Sequence, residues 1–119
     1  MDHPLAGRSI LIVENEPLIA LDLQSAFERV GAHVITTTTL RQAVSLVEED
    51  GLSAAVLDHA LADGNSSHLC ERLQKRGIPF VIYSGFNETE GACQHAPHVS
   101  KPANPEVLVT TVVGLLRGH

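Results

Sequence analysis

The sequence predicts an α/β domain in which helices cover both faces of a parallel β-sheet. Strand-like and helix-like patterns alternate from one end of the chain to the other, which is typical of parallel strands joined by helices. The strand-like runs are short, and the fourth is apolar on both faces, as a central parallel strand should be. At 119 residues, the chain is long enough for one such domain and too short for a second.

Five strands and their connecting helices can be assigned in order. The strands are predicted at residues 10–13, 33–36, 54–57, 80–83 and 98–100. The first helix begins at Pro17 and ends at Gly31, and the last begins at Asn104-Pro105. Thr39 and Gln42 form a capping box for the second helix, which should end near Gly51. The third helix ends near residue 77, and the weak pattern from 85 to 97 predicts a short or irregular fourth helix.

Four of the strands end abruptly on polar residues that could do chemistry. Glu14-Asn15 follows the first strand, Asp58 the third, Ser84 the fourth and Lys101 the fifth. Ligands of open α/β sheets bind just beyond the carboxyl ends of the strands. We therefore expect separated acids, a hydroxyl and an amine to converge in one crevice.

Charge and hydropathy exclude several classes of function. Fourteen acidic against eight basic residues give a formal charge of -6, which argues against a surface that binds nucleic acid. No apolar stretch approaches the ~20 residues that a membrane-spanning helix needs. The start, Met1-Asp2-His3-Pro4, lacks the layout of a signal peptide. We expect a cytoplasmic protein with protein partners and no membrane insertion.

The cysteines predict neither a redox motif nor a metal site. Cys70 and Cys93 have no CxxC spacing and are expected to be free, partly buried thiols. Cys93, His95 and His98 cluster in the sequence, but a structural zinc site needs four ligands and no fourth lies nearby.

In combination, these residues match a known family. The order Glu14-Asn15, Asp58, Ser84-Gly85, Lys101-Pro102 resembles the receiver domain of two-component response regulators over essentially the whole chain. The resemblance implies a single receiver domain at residues 1–119. Its implied fold is a flavodoxin-like (βα)5 doubly wound parallel sheet with strand order 2-1-3-4-5.

The resemblance also implies a reaction. Asp58 would accept a phosphoryl group from the histidine of a sensor kinase or from a phosphotransfer protein, with Lys101 and Ser84 beside it. A carboxylate can attack a phosphoryl group if the negative charges are neutralised, and Mg²⁺ takes carboxylate and carbonyl oxygens as ligands. The chain would promote only its own phosphorylation and dephosphorylation, so it would not be an enzyme. The expected metal ligands are Glu14, Asn15, Asp58 and the backbone carbonyl of Ala60.

Two positions depart from the family pattern. Asn15 stands where the family usually has an acid, and His98 stands where many receivers carry a switch aromatic. The segment Tyr83-Ser84-Gly85-Phe86 is similar to that of an α-proteobacterial subgroup nicknamed FAT GUY, often paired with HWE or HisKA2 kinases. This similarity implies that Tyr83 or Phe86 replaces the switch residue, and that Ser84 carries the change to the surface. The alternative is that both rings only pack.

Two outcomes remain open at the level of sequence. The chain ends shortly after the last predicted helix, so a receiver of this length would signal by binding a downstream protein or would drain phosphate from a shared kinase. It could also be a piece of a longer protein. The competing class is a receiver-fold interaction module that works without phosphorylation, which Asn15 and His98 favour.

Overall fold

The computed structural model describes residues 3–61, 63–85 and 91–118. Its centre is a five-stranded sheet in which every pairing is parallel. The strands of this sheet are β1 (Ser9–Val13), β2 (His33–Thr37), β3 (Ala54–Leu57), β4 (Phe80–Ser84) and β5 (His98–Ser100). Their order is β2-β1-β3-β4-β5, which confirms the predicted doubly wound topology.

Helices connect the strands as the alternation of patterns predicts. The helices are α1 (Pro17–Arg29), α2 (Leu40–Val47), α3 (Ser67–Lys75) and α4 (Pro105–Arg117). Between β4 and β5, the described part of the chain forms a 3-10 helix, Gly91–His95, which agrees with the short or irregular helix expected there. No helix in the described ranges has the length and apolar character needed to cross a membrane.

The sheet separates two apolar cores, because successive side chains of a strand point to opposite faces. One core joins Ile10 and Ile12 of β1 to α1 and α4. The other joins Leu11 and Val13 to α2 and α3. β4 is buried along its whole length, as predicted for a central strand. The helices contribute Leu23, Phe27, Leu108 and Val112 to the first core and Ala43, Val47, Leu69 and Leu73 to the second.

Gly31 ends the first helical segment because no other residue suits its position. Its φ is +96°, and a Cβ there would lie 3.0 Å from the Cβ of His3 and 3.1 Å from backbone atoms of Ala6. The close approach lets Leu5 donate its N–H to the carbonyl of Val30 at 3.0 Å. The predicted stop at residue 31 is therefore confirmed and has a steric reason.

The second helix is shorter than predicted, and its capping box is only half formed. α2 ends at Val47 instead of near Gly51. The Thr39 hydroxyl accepts the N–H of Gln42 at 3.2 Å, as expected. The Gln42 side chain, however, accepts a hydrogen bond from the hydroxyl of Thr37. The reciprocal bond predicted for Gln42 is thus replaced by a contact to the end of β2.

A residue far away in the sequence completes the cap of α2. The carboxylate of Asp63 accepts the N–H groups of Leu40 at 2.8 Å and Arg41 at 3.1 Å. These backbone hydrogen bonds hold the pKa of Asp63 below its usual range. The loop after β3 is thereby tied to the start of α2.

The prediction of free thiols is wrong. Cys70 in α3 and Cys93 in the 3-10 helix form a disulfide, with Cα atoms 5.2 Å apart. Both residues are buried. They are 23 residues apart in the sequence, and only the packing of the 3-10 helix against α3 brings them together. Neither cysteine therefore has a free thiol that could bind zinc.

Candidate functional site

The predicted strand-end residues do meet at the carboxyl edge of the sheet. Asp58, the first residue after β3, donates its N–H to the carbonyl of Val13 at 2.8 Å. Lys101, the first after β5, donates its N–H to the carbonyl of Ser84 at 3.0 Å. Glu14, the first residue after β1, donates its N–H to the carbonyl of Thr37 at the end of β2, at 3.0 Å. Each side chain therefore starts from a backbone position fixed by the sheet ladder.

The Lys101 ammonium lies between buried carboxylates. It is 2.8 Å from Glu14 Oε1 and 3.3 Å from Asp58 Oδ2. The side chains of Glu14 and Asp58 are only 2% and 7% exposed, and that of Lys101 is 13% exposed. Glu16, which is 60% exposed, places a third carboxylate oxygen 3.7 Å from the ammonium. One lysine is thus paired with two nearly buried acids, and its single charge can balance only one of them when both are ionised.

The burial of this cluster perturbs its titration. Desolvation raises the pKa of Glu14 to about 7, and the negative charge of Asp58 adds to this, although hydrogen bonds from Lys101 and from the Glu16 N–H oppose it. Burial lowers the pKa of Lys101, but the hydrogen bonds and charges of Glu14 and Asp58 outweigh it, so the net shift is upward. The lysine therefore stays charged, while Glu14 can take up a proton near neutral pH.

This titration predicts a pH-dependent stability for the metal-free protein. Because the pKa of Glu14 is raised from 4.5 to about 7, its contribution to stability is fully present below pH 4.5 and is lost as the pH rises through about 7. We expect the free energy of unfolding in EDTA to fall between about pH 5 and pH 8, on the order of 3 kcal/mol from this group. Glu14→Gln should remove that difference. Urea unfolding at a series of pH values measures it, and equal slopes in the two proteins would contradict the assignment.

Two of the four predicted metal ligands, Glu14 and Asp58, are these buried acids. Asn15 is exposed at this edge beside Glu14, and Ala60 begins a two-residue strand two positions after Asp58. Within residues 3–61, 63–85 and 91–118, no group of three His, Cys, Asp or Glu side chains is arranged to hold a metal ion. Mg²⁺ does not need one, because it commonly binds through one or two carboxylates and keeps several waters. The oxygen donors present therefore fit Mg²⁺ better than a metal that prefers nitrogen or sulfur.

The predicted switch residues occupy different places. Ser84 is fully buried and is in register with Ser100 of β5. His98 is half-buried in register with Ile82, at the beginning of β5 and so away from the carboxyl edge. Phe86 lies outside the described residues. The roles of these residues in switching stay predictions.

Tyr83 makes contacts that its place in the sequence does not predict. Its side chain is 5% exposed and packs in the core formed with α1 and α4. Its hydroxyl bonds to the backbone of Ala103, in the loop between β5 and α4. A buried tyrosine hydroxyl usually has a hydrogen-bond partner, so the sequence could have predicted that some partner exists. The sequence could not say which partner.

The doubly wound parallel sheet, with strand order β2-β1-β3-β4-β5, has the fold of CheY-like receiver domains. Residues 10–113 match the family of response regulator receiver domains, and this chain belongs to that family.

The chain is similar to both curated proteins and solved structures of this kind. It is 33% identical over 103 residues to the phyllosphere-induced regulator PhyR of Methylorubrum extorquens. This match covers 81% of this chain and 39% of that protein. It thus spans well under two thirds of that relative. A CheY-like receiver domain protein from Methanospirillum hungatei superposes with a TM-score of 0.85 at 22% identity, over 93% of this chain and 94% of the other. A second similar structure is the receiver domain of the sensor histidine kinase PA1611 from Pseudomonas aeruginosa, crystallised with magnesium in its active-site cleft. It superposes with a TM-score of 0.80 at 20% identity, over 94% of this chain and 99% of the other.

Proposed function

We propose that residues 1–119 form a phospho-accepting receiver domain in which Asp58 is the phosphorylated residue. One observation carries this proposal. Asp58 lies at the carboxyl edge of the sheet with the Lys101 ammonium 3.3 Å from its carboxylate, and the same ammonium bonds Glu14 at 2.8 Å. An acid held beside a fixed positive charge can act as a nucleophile toward an anionic phosphoryl group, because the charge repulsion is reduced.

In the proposed reaction, one Asp58 oxygen attacks phosphorus, and the bond from phosphorus to the leaving group breaks. The leaving group, a kinase histidine or a small acid, keeps the electron pair of that bond. Lys101 stabilises the charge on the transferred group. The Ser84 hydroxyl would hydrogen-bond the new phosphoryl group and carry the change to the adjacent surface.

Mg²⁺ would supply a second positive charge next to the phosphoryl oxygens. The magnesium ion in the cleft of the PA1611 receiver domain supports the same use here. The residues proposed to hold it are Glu14, Asn15, Asp58 and the backbone carbonyl of Ala60. The exposed, neutral Asn15 makes this ligand set weaker in charge than a pair of acids would be.

The proposed partners follow from this chemistry. A sensor histidine kinase or a phosphotransfer protein would donate the phosphoryl group, and we therefore expect the reaction to take place in the cytoplasm. Output would run through a downstream protein that reads the surface around Ser84, with Tyr83, Phe86 and His98 as candidate switch residues. The chain would otherwise act as a sink that drains phosphate from a shared kinase.

The test is phosphoryl incorporation by the wild-type chain. Incubation with acetyl phosphate and Mg²⁺ is expected to add the mass of one phosphoryl group, mapped by peptide analysis to Asp58. EDTA should prevent the addition. If the folded protein stays unmodified by acetyl phosphate and by candidate kinases, the alternative of a phosphorylation-independent interaction module is correct instead.

The neutral residue at position 15 gives a separate prediction about the metal. Asn15→Asp should tighten Mg²⁺ binding by roughly tenfold, because a charged oxygen would replace a neutral one beside Glu14 and Asp58. Isothermal titration calorimetry measures the affinity. Gln74→Glu is the matched control, since it makes the same chemical change at an exposed position on α3. Equal affinities in Asn15→Asp and wild type would show that residue 15 is not a direct ligand.

A further inference from the structure

A single hydroxyl group holds the loop that follows Lys101. The Tyr83 Oη donates a hydrogen bond to the Ala103 carbonyl at 3.1 Å and accepts one from the Ala103 N–H at 3.0 Å. Both backbone polar groups of Ala103 are therefore paired with one side chain. This side chain reaches the loop from the neighbouring strand, 20 residues earlier in the sequence.

These bonds fix the backbone on both sides of the Lys101 side chain. On one side, the Lys101 N–H is bonded to the carbonyl of Ser84 at 3.0 Å. On the other, Ala103 is bonded to Tyr83. The Lys101 ammonium also lies 5.6 Å from the centroid of the Tyr83 ring, within the range of cation–π attraction. Tyr83 thus contacts both the loop that carries the lysine and the lysine itself.

The ammonium needs such support because a lysine side chain is flexible. Its compact charge is carried on a four-carbon stem, and holding the stem in one geometry costs conformational entropy. The ammonium lies 2.8 Å from Glu14 and 3.3 Å from Asp58. Both distances depend on the position of the Lys101 backbone, from which the side chain extends. If the loop loses its anchor, the ammonium can move away from Asp58 while its charge is retained.

We propose that Tyr83 is a positioning residue that holds Lys101 against Asp58 for phosphoryl transfer, and this role rests on the proposed phospho-accepting function. Tyr83 does not touch the reacting atoms. It acts through its hydroxyl on Ala103 and through its ring on the ammonium. This role is distinct from that of a switch aromatic, which would change its exposure on phosphorylation.

Tyr83→Phe tests the proposal, because it removes only the hydroxyl and keeps the ring. The first measurement is the ¹⁵N–¹H signal of the Lys101 ammonium in the metal-free protein, assigned by its absence in Lys101→Met. We expect this signal in the wild type, where the carboxylates shield the ammonium from exchange with water, and its loss in Tyr83→Phe. The second measurement is the rate of phosphorylation by acetyl phosphate at saturating Mg²⁺, which should fall about tenfold, since a small misplacement of a reacting group slows the step.

Ser53→Ala is the matched control for a general loss of stability. It also deletes a hydroxyl that bonds a backbone N–H, that of Ser9 at 3.1 Å, at the opposite edge of the sheet. It should keep both the Lys101 signal and the rate. An unchanged signal in Tyr83→Phe, an unchanged rate despite a lost signal, or equal losses in Ser53→Ala would each overturn the proposal. If the wild type takes up no phosphoryl group, the proposed function fails, whereas the ammonium signal still decides whether Tyr83 positions Lys101.

Discussion

Asp58→Asn is expected to reduce phosphoryl incorporation by more than about a hundredfold, with acetyl phosphate or with a kinase as donor. The amide has nearly the shape of the carboxylate, but it is not a nucleophile under these conditions, and removing a nucleophile removes the whole reaction. The variant should stay folded, because the substitution also removes the charge repulsion between Asp58 and the buried Glu14. Intact-mass spectrometry over time, with the fold checked by circular dichroism, measures the effect.

Asp63→Asn is the matched control for this prediction. It makes the same change five residues later in the same connection, where the carboxylate is exposed and caps α2 through the N–H groups of Leu40 and Arg41. Asp63→Asn should be phosphorylated at the wild-type level. If Asp58→Asn still took up a phosphoryl group in the same position of the peptide map, Asp58 would not be the acceptor. Equal loss in both variants would instead point to disruption of the loop.

Lys101→Met is expected to destabilise the metal-free protein by about 3 kcal/mol or more at pH 8. It leaves the carboxylates of Glu14 and Asp58, 2% and 7% exposed, without their shared cation. Removing one partner of a buried ion pair costs about 3–5 kcal/mol, because the remaining charge is buried and uncompensated. The loss should be smaller near pH 5, where Glu14, whose pKa is already raised to about 7, is protonated. Urea unfolding in EDTA at both pH values measures this.

Lys75→Met provides the comparison for an exposed lysine. Lys75 pairs with Glu71 at 3.2 Å, and its side chain is 61% exposed, so the change should be within about 0.5 kcal/mol. Adding Mg²⁺ should restore much of the stability of Lys101→Met, because a ligand that binds only the folded state stabilises it. A Lys101→Met variant as stable as Lys75→Met at pH 8 would show that the ammonium does not compensate the acids.

The sequence alone determined the parallel α/β fold and the meeting of Glu14, Asp58 and Lys101 at one edge of the sheet. Short apolar runs alternating with helical stripes predicted a parallel sheet, and the observed strand order is the one that the family resemblance implied. Asp58 and Lys101 could be placed together because each ends a strand, and parallel strands end at one edge. The end of the first helical segment at Gly31 could also be predicted, since glycine adopts a backbone conformation that other residues rarely adopt. These features depend on local pattern and on chain order, which the sequence contains directly.

Only the tertiary structure decided which distant groups pair with each other. The Cys70–Cys93 disulfide joins residues 23 apart, and the expected free thiols were wrong because sequence spacing does not show that α3 packs on the 3-10 helix. Asp63 caps α2 from 23 residues away, and Tyr83 bonds Ala103 from 20 residues away. The raised pKa of Glu14 likewise comes from burial beside Asp58. Such contacts depend on the distances between packed elements, and the order of residues along a chain does not fix those distances.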